Sequence, residues 1–80
     1  MLKEEIISQL TEIYTLITSN DASTFSEQSN LRTDLNLSSI GMLYLIIAIE
    51  QKFNIHFENV SMGDFETVGD VINYIEKKVN

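Results

Sequence analysis

Two adjacent serines, Ser38 and Ser39, stand directly before the most apolar segment of the chain. A serine in this position can cap a helix, because its oxygen accepts a hydrogen bond from the unpaired N–H groups of the first turn. It can also act as a nucleophile, provided that a base lies nearby. One helix start needs one cap, so the pair leaves one hydroxyl without a structural task. Neighbouring serines are also common at helix starts, so the pair by itself assigns no function.

Catalytic and metal-binding chemistry find little support among the other residues. His56 is the only histidine, and the sequence places nothing beside it, so we expect an ordinary surface residue and no Ser-His-Asp enzyme. One histidine without cysteine gives too few ligands for zinc. Residues 34–45 begin like a calcium loop, but Ser and Leu replace the glycine and the glutamate that such a loop needs at its sixth and twelfth positions. We therefore expect no catalytic residue and no metal site.

Apolar residues at helical spacing predict the elements that position the serines. The main helices are predicted over residues 2–18, 39–53 and 68–79, and one short helical turn over 61–66. Thr67 and Asp70 have the spacing of a capping box at the start of the last helix. The expected fold class is all-α, a small bundle of three main helices plus one short helix, with a long first loop.

The segments between the helices need anchors. Residues 19–37 have no sustained period and predict a loop, which is unusually long for so small a domain. Its available anchors are apolar, namely Phe25, Leu31, Leu35 and Leu37. Residues 53–61 break the helical period and predict an extended connector held by apolar side chains, since a lone strand would have no pairing partner.

The composition indicates one small domain spanning residues 1–80. The chain has no cysteine and no proline, is 44% hydrophobic and carries a net charge of −7. This acidity disfavours nucleic acid and anionic membrane surfaces, because phosphate binding needs clustered cations. The sequence has no apolar run of about 18 residues and no basic start typical of a signal peptide. We therefore expect a cytoplasmic monomer without membrane insertion.

The second helix is more apolar than a helix on the surface of a small domain should be. Between residues 40 and 49 only Gly41 and Tyr44 interrupt the apolar run. A helix that is apolar all round should be buried all round, but two partner helices cannot enclose a third. Either part of this helix is exposed as a protein-binding face, or the long loop folds over the spare side. The sequence alone leaves both possibilities open.

Residues 31–75 resemble the acyl carrier protein family, whose members are phosphopantetheine-attachment domains. The matching features are the pair Asp34–Leu35, a short spacer followed by Ser39 and Ile40, the run "AIEQKFNI" at 48–55, and "FETVGDVINYI" at 65–75. The resemblance implies that Ser39 receives 4′-phosphopantetheine from coenzyme A through a phosphopantetheinyl transferase. Ser38 stands where the family usually has Asp, and it can cap the helix while Ser39 stays free for modification. The thiol of the arm would then carry an acyl or aminoacyl group as a thioester, so the protein would be a carrier and not an enzyme.

The resemblance also implies a partner-binding face on the second helix. Its partners would be acyl- or aminoacyl-loading enzymes and condensing or transfer enzymes. The face would consist of Ser38, Ile40, Gly41, Leu43, Tyr44, Ile47 and Glu50. The opposite side of the helix, with Ile46, Ile49 and Phe53, is predicted to be core.

The sequence departs from the family in the charge of the second helix. Gly41 and Tyr44 stand at positions that are often acidic in the family, and Glu50 is the only acid between residues 39 and 53. This favours a specialised pathway, such as polyketide, nonribosomal peptide or aminoacyl transfer, over primary fatty-acid synthesis. The alternatives are a carrier in primary fatty-acid synthesis and an unmodified helical protein-interaction module.

Overall fold

The computed structural model describes residues 2–18, 25–58 and 62–79 of the 80-residue chain. These residues form three α-helices, α1 (Lys3–Thr18), α2 (Ser39–Phe53) and α3 (Val68–Val79), and a short 3₁₀ turn at Met62–Asp64. The described ranges contain no strand, only an isolated bridge between Asn30 and Thr67. The predicted all-α class and the three main helices are confirmed. The parts of the predicted loop and connector at 19–24 and 59–61 lie outside the described residues.

The core forms where one apolar stripe from each helix meets leucines of the first loop. These stripes recur at three- and four-residue intervals, as an amphipathic helix requires. The buried apolar residues are Ile6, Leu10, Ile13, Tyr14, Leu31, Leu35, Leu37, Met42, Leu45, Ile49, Phe53, Ile55, Phe65, Val68, Val71, Ile72 and Ile75. No helix in the ranges that the structure describes is both long and apolar enough to cross a membrane.

The buried side of α2 differs from the predicted one. Met42, Leu45, Ile49 and Phe53 are buried, whereas Ile46 is only half-buried and is not among the residues that pack against the core. Placing Ile46 in the core was therefore wrong. Successive helical residues are rotated by about 100°, so Leu45 points to the core and its neighbour turns away. Ile49 and Phe53 were placed correctly.

The loop between α1 and α2 is anchored by its apolar side chains, as predicted. Leu31, Leu35 and Leu37 are buried. Phe25 is half-buried, and its ring centroid lies 5.2 Å from that of Tyr14 on α1. These contacts attach the described part of the loop to the bundle, which fixes the route by which the chain enters α2.

Backbone hydrogen bonds tie the same loop to the start of α3. The donor–acceptor pairs are Leu31 N to Glu66 O at 2.9 Å, Val68 N to Ser29 O at 3.1 Å, and Gly69 N to Glu27 O at 2.9 Å. Two of these donors lie in the first turn of α3, whose N–H groups have no acceptor within the helix. Gly69 allows this close approach, since a Cβ there would lie 3.2 Å from the Glu27 carbonyl oxygen.

Aromatic rings hold the connector between α2 and α3. Phe57 stacks on Tyr74 with ring centroids 4.8 Å apart, and Phe65 meets both rings edge-on. The Tyr74 hydroxyl accepts a hydrogen bond from the Glu58 N–H and donates one to the His56 carbonyl. The segment 54–58 thus forms the predicted extended connector, with aromatic stacking in place of strand pairing.

The predicted capping box is present at the start of α3. The Asp70 N–H donates to Thr67 Oγ1 at 3.3 Å, and the Thr67 N–H donates to Asp70 Oδ2 at 3.1 Å. The same carboxylate oxygen also accepts the Glu66 N–H at 3.0 Å. The backbone donors of Glu66 and Thr67 hold the pKa of Asp70 below its usual range, because they stabilise the charged form.

We expect the capping box to make stability depend on pH. The pKa of Asp70 is lower in the folded than in the unfolded state, so its contribution is present above the ordinary Asp pKa of about 3.9 and is lost as the pH falls through the folded value. Urea unfolding should show Asp70→Ala less stable than wild type at pH 7. The difference should shrink in acid, and a difference that grows on acidification would contradict this assignment.

The burial pattern of α2 predicts unequal costs for two isoleucines. Ile49→Ala should lower the free energy of unfolding by about 2–5 kcal/mol, because it leaves a cavity in the core. Ile46→Ala, its matched control on the same helix, should cost no more than about 1 kcal/mol. Urea denaturation with unchanged m-values would measure both. Equal losses would show that Ile46 contributes to the core as much as Ile49.

Candidate functional site

The two serines take different positions at the start of α2. Ser38 is the N-cap, with extended backbone angles of φ −79° and ψ 175°. Its Oγ accepts the Gly41 N–H at 3.1 Å, and its carbonyl oxygen accepts the Met42 N–H at 2.8 Å. The hydroxyl of Ser38 is therefore engaged by the helix, as predicted.

Ser39 is the first residue of α2, and its side chain is exposed. Within the part of the chain that the structure describes, its hydroxyl forms no hydrogen bond. A group esterified to this oxygen would project into solvent without displacing a structural contact. A phosphodiester would suit the location, since the N-terminal end of a helix carries partial positive charge. The residues present thus fit the attachment of a phosphopantetheine arm.

The turn that precedes the serines is held by its own polar side chains. Asp34 Oδ2 accepts the Asn30 N–H at 2.7 Å, while Asn30 Oδ1 accepts the N–H groups of Arg32 and Thr33. Asn36 has a positive φ of 57°, a conformation that asparagine tolerates better than most residues. The carboxylate of Asp34 thereby has a structural role in the turn that leads to Ser39.

Gly41 also has a packing role. A Cβ at this position would lie 3.3 Å from Cδ2 of the buried Leu37 and 3.6 Å from Ser38 Oγ. The absence of a side chain therefore lets the first turn of α2 approach the end of the loop closely. The family resemblance suggested Gly41 only as a partner contact, and this packing role was missed.

An exposed apolar strip begins directly after Ser39. It consists of Ile40, Leu43, Tyr44 and Ile47, which are 65%, 49%, 58% and 41% exposed. Their spacing of i, i+3, i+4 and i+7 places them on one side of α2. The described part of the long loop, residues 25–37, does not cover these four residues. Their role in partner binding stays a prediction.

Glu50, at the far end of this helix, serves the fold. It is half-buried, and its Oε2 accepts the Phe57 N–H at 2.9 Å. The Glu50 carbonyl oxygen also accepts the N–H of Asn54, which ends α2 in the left-handed conformation with φ 57°. The only acid of α2 thus holds the helix end and the connector together. Sequence spacing gave no signal of the side-chain bond, because its partner lies seven residues away.

Among the described residues, no ionisable side chain forms a hydrogen bond with Ser38 or Ser39. His56 is exposed in the connector, and no hydrogen bond joins it to Ser38 or Ser39. Across the described ranges, no cluster of three or more His, Cys, Asp or Glu side chains has the arrangement to hold a metal ion. The site therefore consists of one free hydroxyl, its capping neighbour and an adjoining apolar strip.

Comparison with known proteins identifies the family of the chain. Residues 5–75 match the family model described as "Phosphopantetheine attachment site". The acyl carrier protein of Thermotoga maritima is 31% identical over 77 residues, which cover 96% of this chain and 95% of that protein. The acyl carrier protein of Thermobifida fusca is 32% identical, with 94% and 95% coverage. The meromycolate extension acyl carrier protein of Mycolicibacterium smegmatis is 31% identical, with 94% and 76% coverage.

Solved structures show the same fold. The crystal structure of an acyl carrier protein from Thermotoga maritima superposes with a TM-score of 0.83 at 23% identity, covering 96% of this chain and 89% of that one. The solution structure of the apo doublet acyl carrier protein from prodigiosin biosynthesis gives a TM-score of 0.79 at 20% identity, with 94% and 36% coverage. The family match and the fold agree, and the chain therefore belongs to the phosphopantetheine-attachment family, whose acyl carrier proteins bear covalently bound 4′-phosphopantetheine.

Proposed function

We propose that Ser39 is the attachment residue and that the protein carries an acyl or aminoacyl group as a thioester on the arm. One observation carries this assignment: Ser39 presents an exposed hydroxyl without a partner among the described residues, whereas the hydroxyl of Ser38 caps α2. The protein supplies no catalytic group of its own in this function. It acts as the substrate of partner enzymes.

Attachment would proceed by phosphoryl transfer from coenzyme A, catalysed by a phosphopantetheinyl transferase. A bond forms between Ser39 Oγ and the phosphorus that bears pantetheine, and the pyrophosphate bond of coenzyme A breaks. Adenosine 3′,5′-bisphosphate leaves, and the hydroxyl proton passes to a base of the transferase. This chain contributes an unhindered nucleophile at a helix terminus that favours the anionic product. The arm contributes the thiol that this cysteine-free chain lacks. This function places the protein in the cytoplasm, where coenzyme A is available.

The surface around Ser39 would receive the transferase and the acyl- or aminoacyl-loading, condensing or transfer enzymes. The proposed contact residues are Ser38, Ile40, Gly41, Leu43, Tyr44, Ile47 and Glu50. The exposed apolar members, Ile40, Leu43, Tyr44 and Ile47, extend along α2 from Ser39, so an enzyme bound to them would reach the arm. Glu50 and Gly41 would contribute mainly by keeping α2 in place, since both have packing roles within the fold.

We further propose a specialised pathway, such as polyketide, nonribosomal peptide or aminoacyl transfer. Its support is the uncharged start of α2, which has no acid in its first turn. The names of the similar proteins point in both directions, since they include general carriers, meromycolate extension carriers and one from prodigiosin biosynthesis. Primary fatty-acid synthesis is the second candidate. Loading assays with malonyl and aminoacyl donors on the modified protein distinguish the two.

An unmodified protein-interaction module is the rival function, favoured only by the exposed apolar strip. Such a module would use the strip for binding and leave both serines untouched. The intact mass of the protein after incubation with coenzyme A and a broad-specificity transferase decides between them. An unchanged mass supports the interaction module.

Ser39→Ala should abolish the mass gain of one phosphopantetheine arm, because no other hydroxyl occupies this position. Ser38→Ala should keep the mass gain, although it should lower stability by about 0.5–2 kcal/mol through loss of the cap. Intact-mass spectrometry and thermal melting of both variants provide the measurements. If Ser39→Ala is still modified and Ser38→Ala is not, Ser38 is the attachment residue.

A further inference from the structure

The charge of this protein is distributed unevenly, and α2 lacks the acidity of the rest. The chain has twelve acidic residues and a net charge of −7, yet α2 contains one acid, Glu50, and one base, Lys52. The two formal charges cancel, and the Glu50 carboxylate is already engaged by the Phe57 N–H. The helix that borders the attachment residue is therefore electrically neutral on an otherwise acidic molecule.

The exposed strip of α2 is correspondingly apolar. Ile40, Leu43 and Ile47 present aliphatic side chains, and Tyr44 adds a ring with a polar tip. Large apolar side chains exposed together are unfavourably hydrated, and a partner that covers them removes this unfavourable hydration. Aromatic and aliphatic side chains clustered in this way form the centres of protein–protein interfaces.

We propose that the enzymes that meet this carrier, the phosphopantetheinyl transferase included, contact the strip through an apolar docking face and not through a patch of arginine and lysine. The proposal rests on the proposed function and specifies the chemistry of its partners. A cationic patch laid on this strip would lose hydration and gain no counter-charge, which is unfavourable. An apolar face would bury the four side chains without this penalty.

The charge of the molecule also argues that the occupant is not a second copy of this chain. Two copies joined through α2 would bring together two bodies of net charge −7 each, with no cation on the strip to offset the repulsion. A partner with an apolar centre and a neutral rim avoids this repulsion. The strip therefore selects against self-association and against partners that recognise acids on α2.

The first experiment compares two transferases, one whose carrier-docking face is apolar and one whose face is lined with arginine. Transfer of phosphopantetheine to Ser39 is followed by intact mass. We expect kcat/KM for wild type to be at least about tenfold higher with the apolar-faced enzyme. This value should change by less than about threefold between low and high salt, because screening acts on ion pairs and leaves apolar contacts intact. A steep fall with salt would overturn the proposal.

Charged variants of the strip test its contribution directly. Leu43→Asp and Ile47→Asp should each lower kcat/KM with the apolar-faced transferase by about tenfold or more, as expected for an anchor at the centre of an interface. Ser8→Asp adds the same charge at an exposed position of α1 and should leave kcat/KM unchanged. Thermal melting should show all three close to wild type, since surface substitutions alter stability little. Unfolding of the Asp variants would show that the strip is part of the core and would overturn the proposal.

A gain-of-function variant distinguishes a change in partner recognition from a general loss of activity. Tyr44→Glu supplies an acid on the strip, so transfer by the arginine-lined enzyme should rise by about tenfold and become salt-sensitive. Equal losses with both enzymes would contradict the inference. Sedimentation tests self-association. If wild type is a dimer and Leu43→Asp is a monomer, the strip binds a second copy of the chain and the inference is overturned. Absence of any mass gain on wild type overturns the proposed function itself, which distinguishes that failure from a failure of the docking inference.

Discussion

The hydrogen bonds between the first loop and the start of α3 are the constraint on which the rest of the structure depends. Loop carbonyls accept the N–H groups of Val68 and Gly69, and the Leu31 N–H donates to the carbonyl of Glu66. A loop of this length has a high conformational entropy, which these bonds and the buried leucines must offset. Because the loop leads directly into α2, its fixation to α3 also sets the position of the helix start that bears the serines.

At that helix start, two adjacent serines have the same hydroxyl group but different backbone conformations. Ser38 has extended backbone angles and faces the first turn, so its oxygen satisfies a backbone donor. Ser39 is already helical and directs its side chain outward. A cap holds one serine in a structural role while the neighbouring hydroxyl remains accessible. The division follows from the requirements of a helix N-terminus and needs no catalytic residue.

The apolar strip and the aromatic connector show two different ways in which a small domain treats apolar side chains. Phe57, Phe65 and Tyr74 pack against one another, which holds the described part of the connector without a strand. The strip on α2 is left exposed beside Ser39. An 80-residue chain has too few elements to enclose a third helix on all sides. One side of α2 is therefore exposed because the domain is small, and the exposed side chains are accessible to a partner.

The sequence by itself determined the all-α class, the bounds of α2, the loop anchors and the capping box of α3. These features follow from local spacing and from side chains that interact within one or two turns, so they can be predicted from the sequence. The tertiary structure decided which side of α2 is buried, leaving Leu43 exposed and Ile46 half-buried outside the core. It also decided the roles of Glu50, Gly41 and Gly69. Where every side of a helix is apolar, periodicity cannot choose the buried one, and contacts with other segments make that choice.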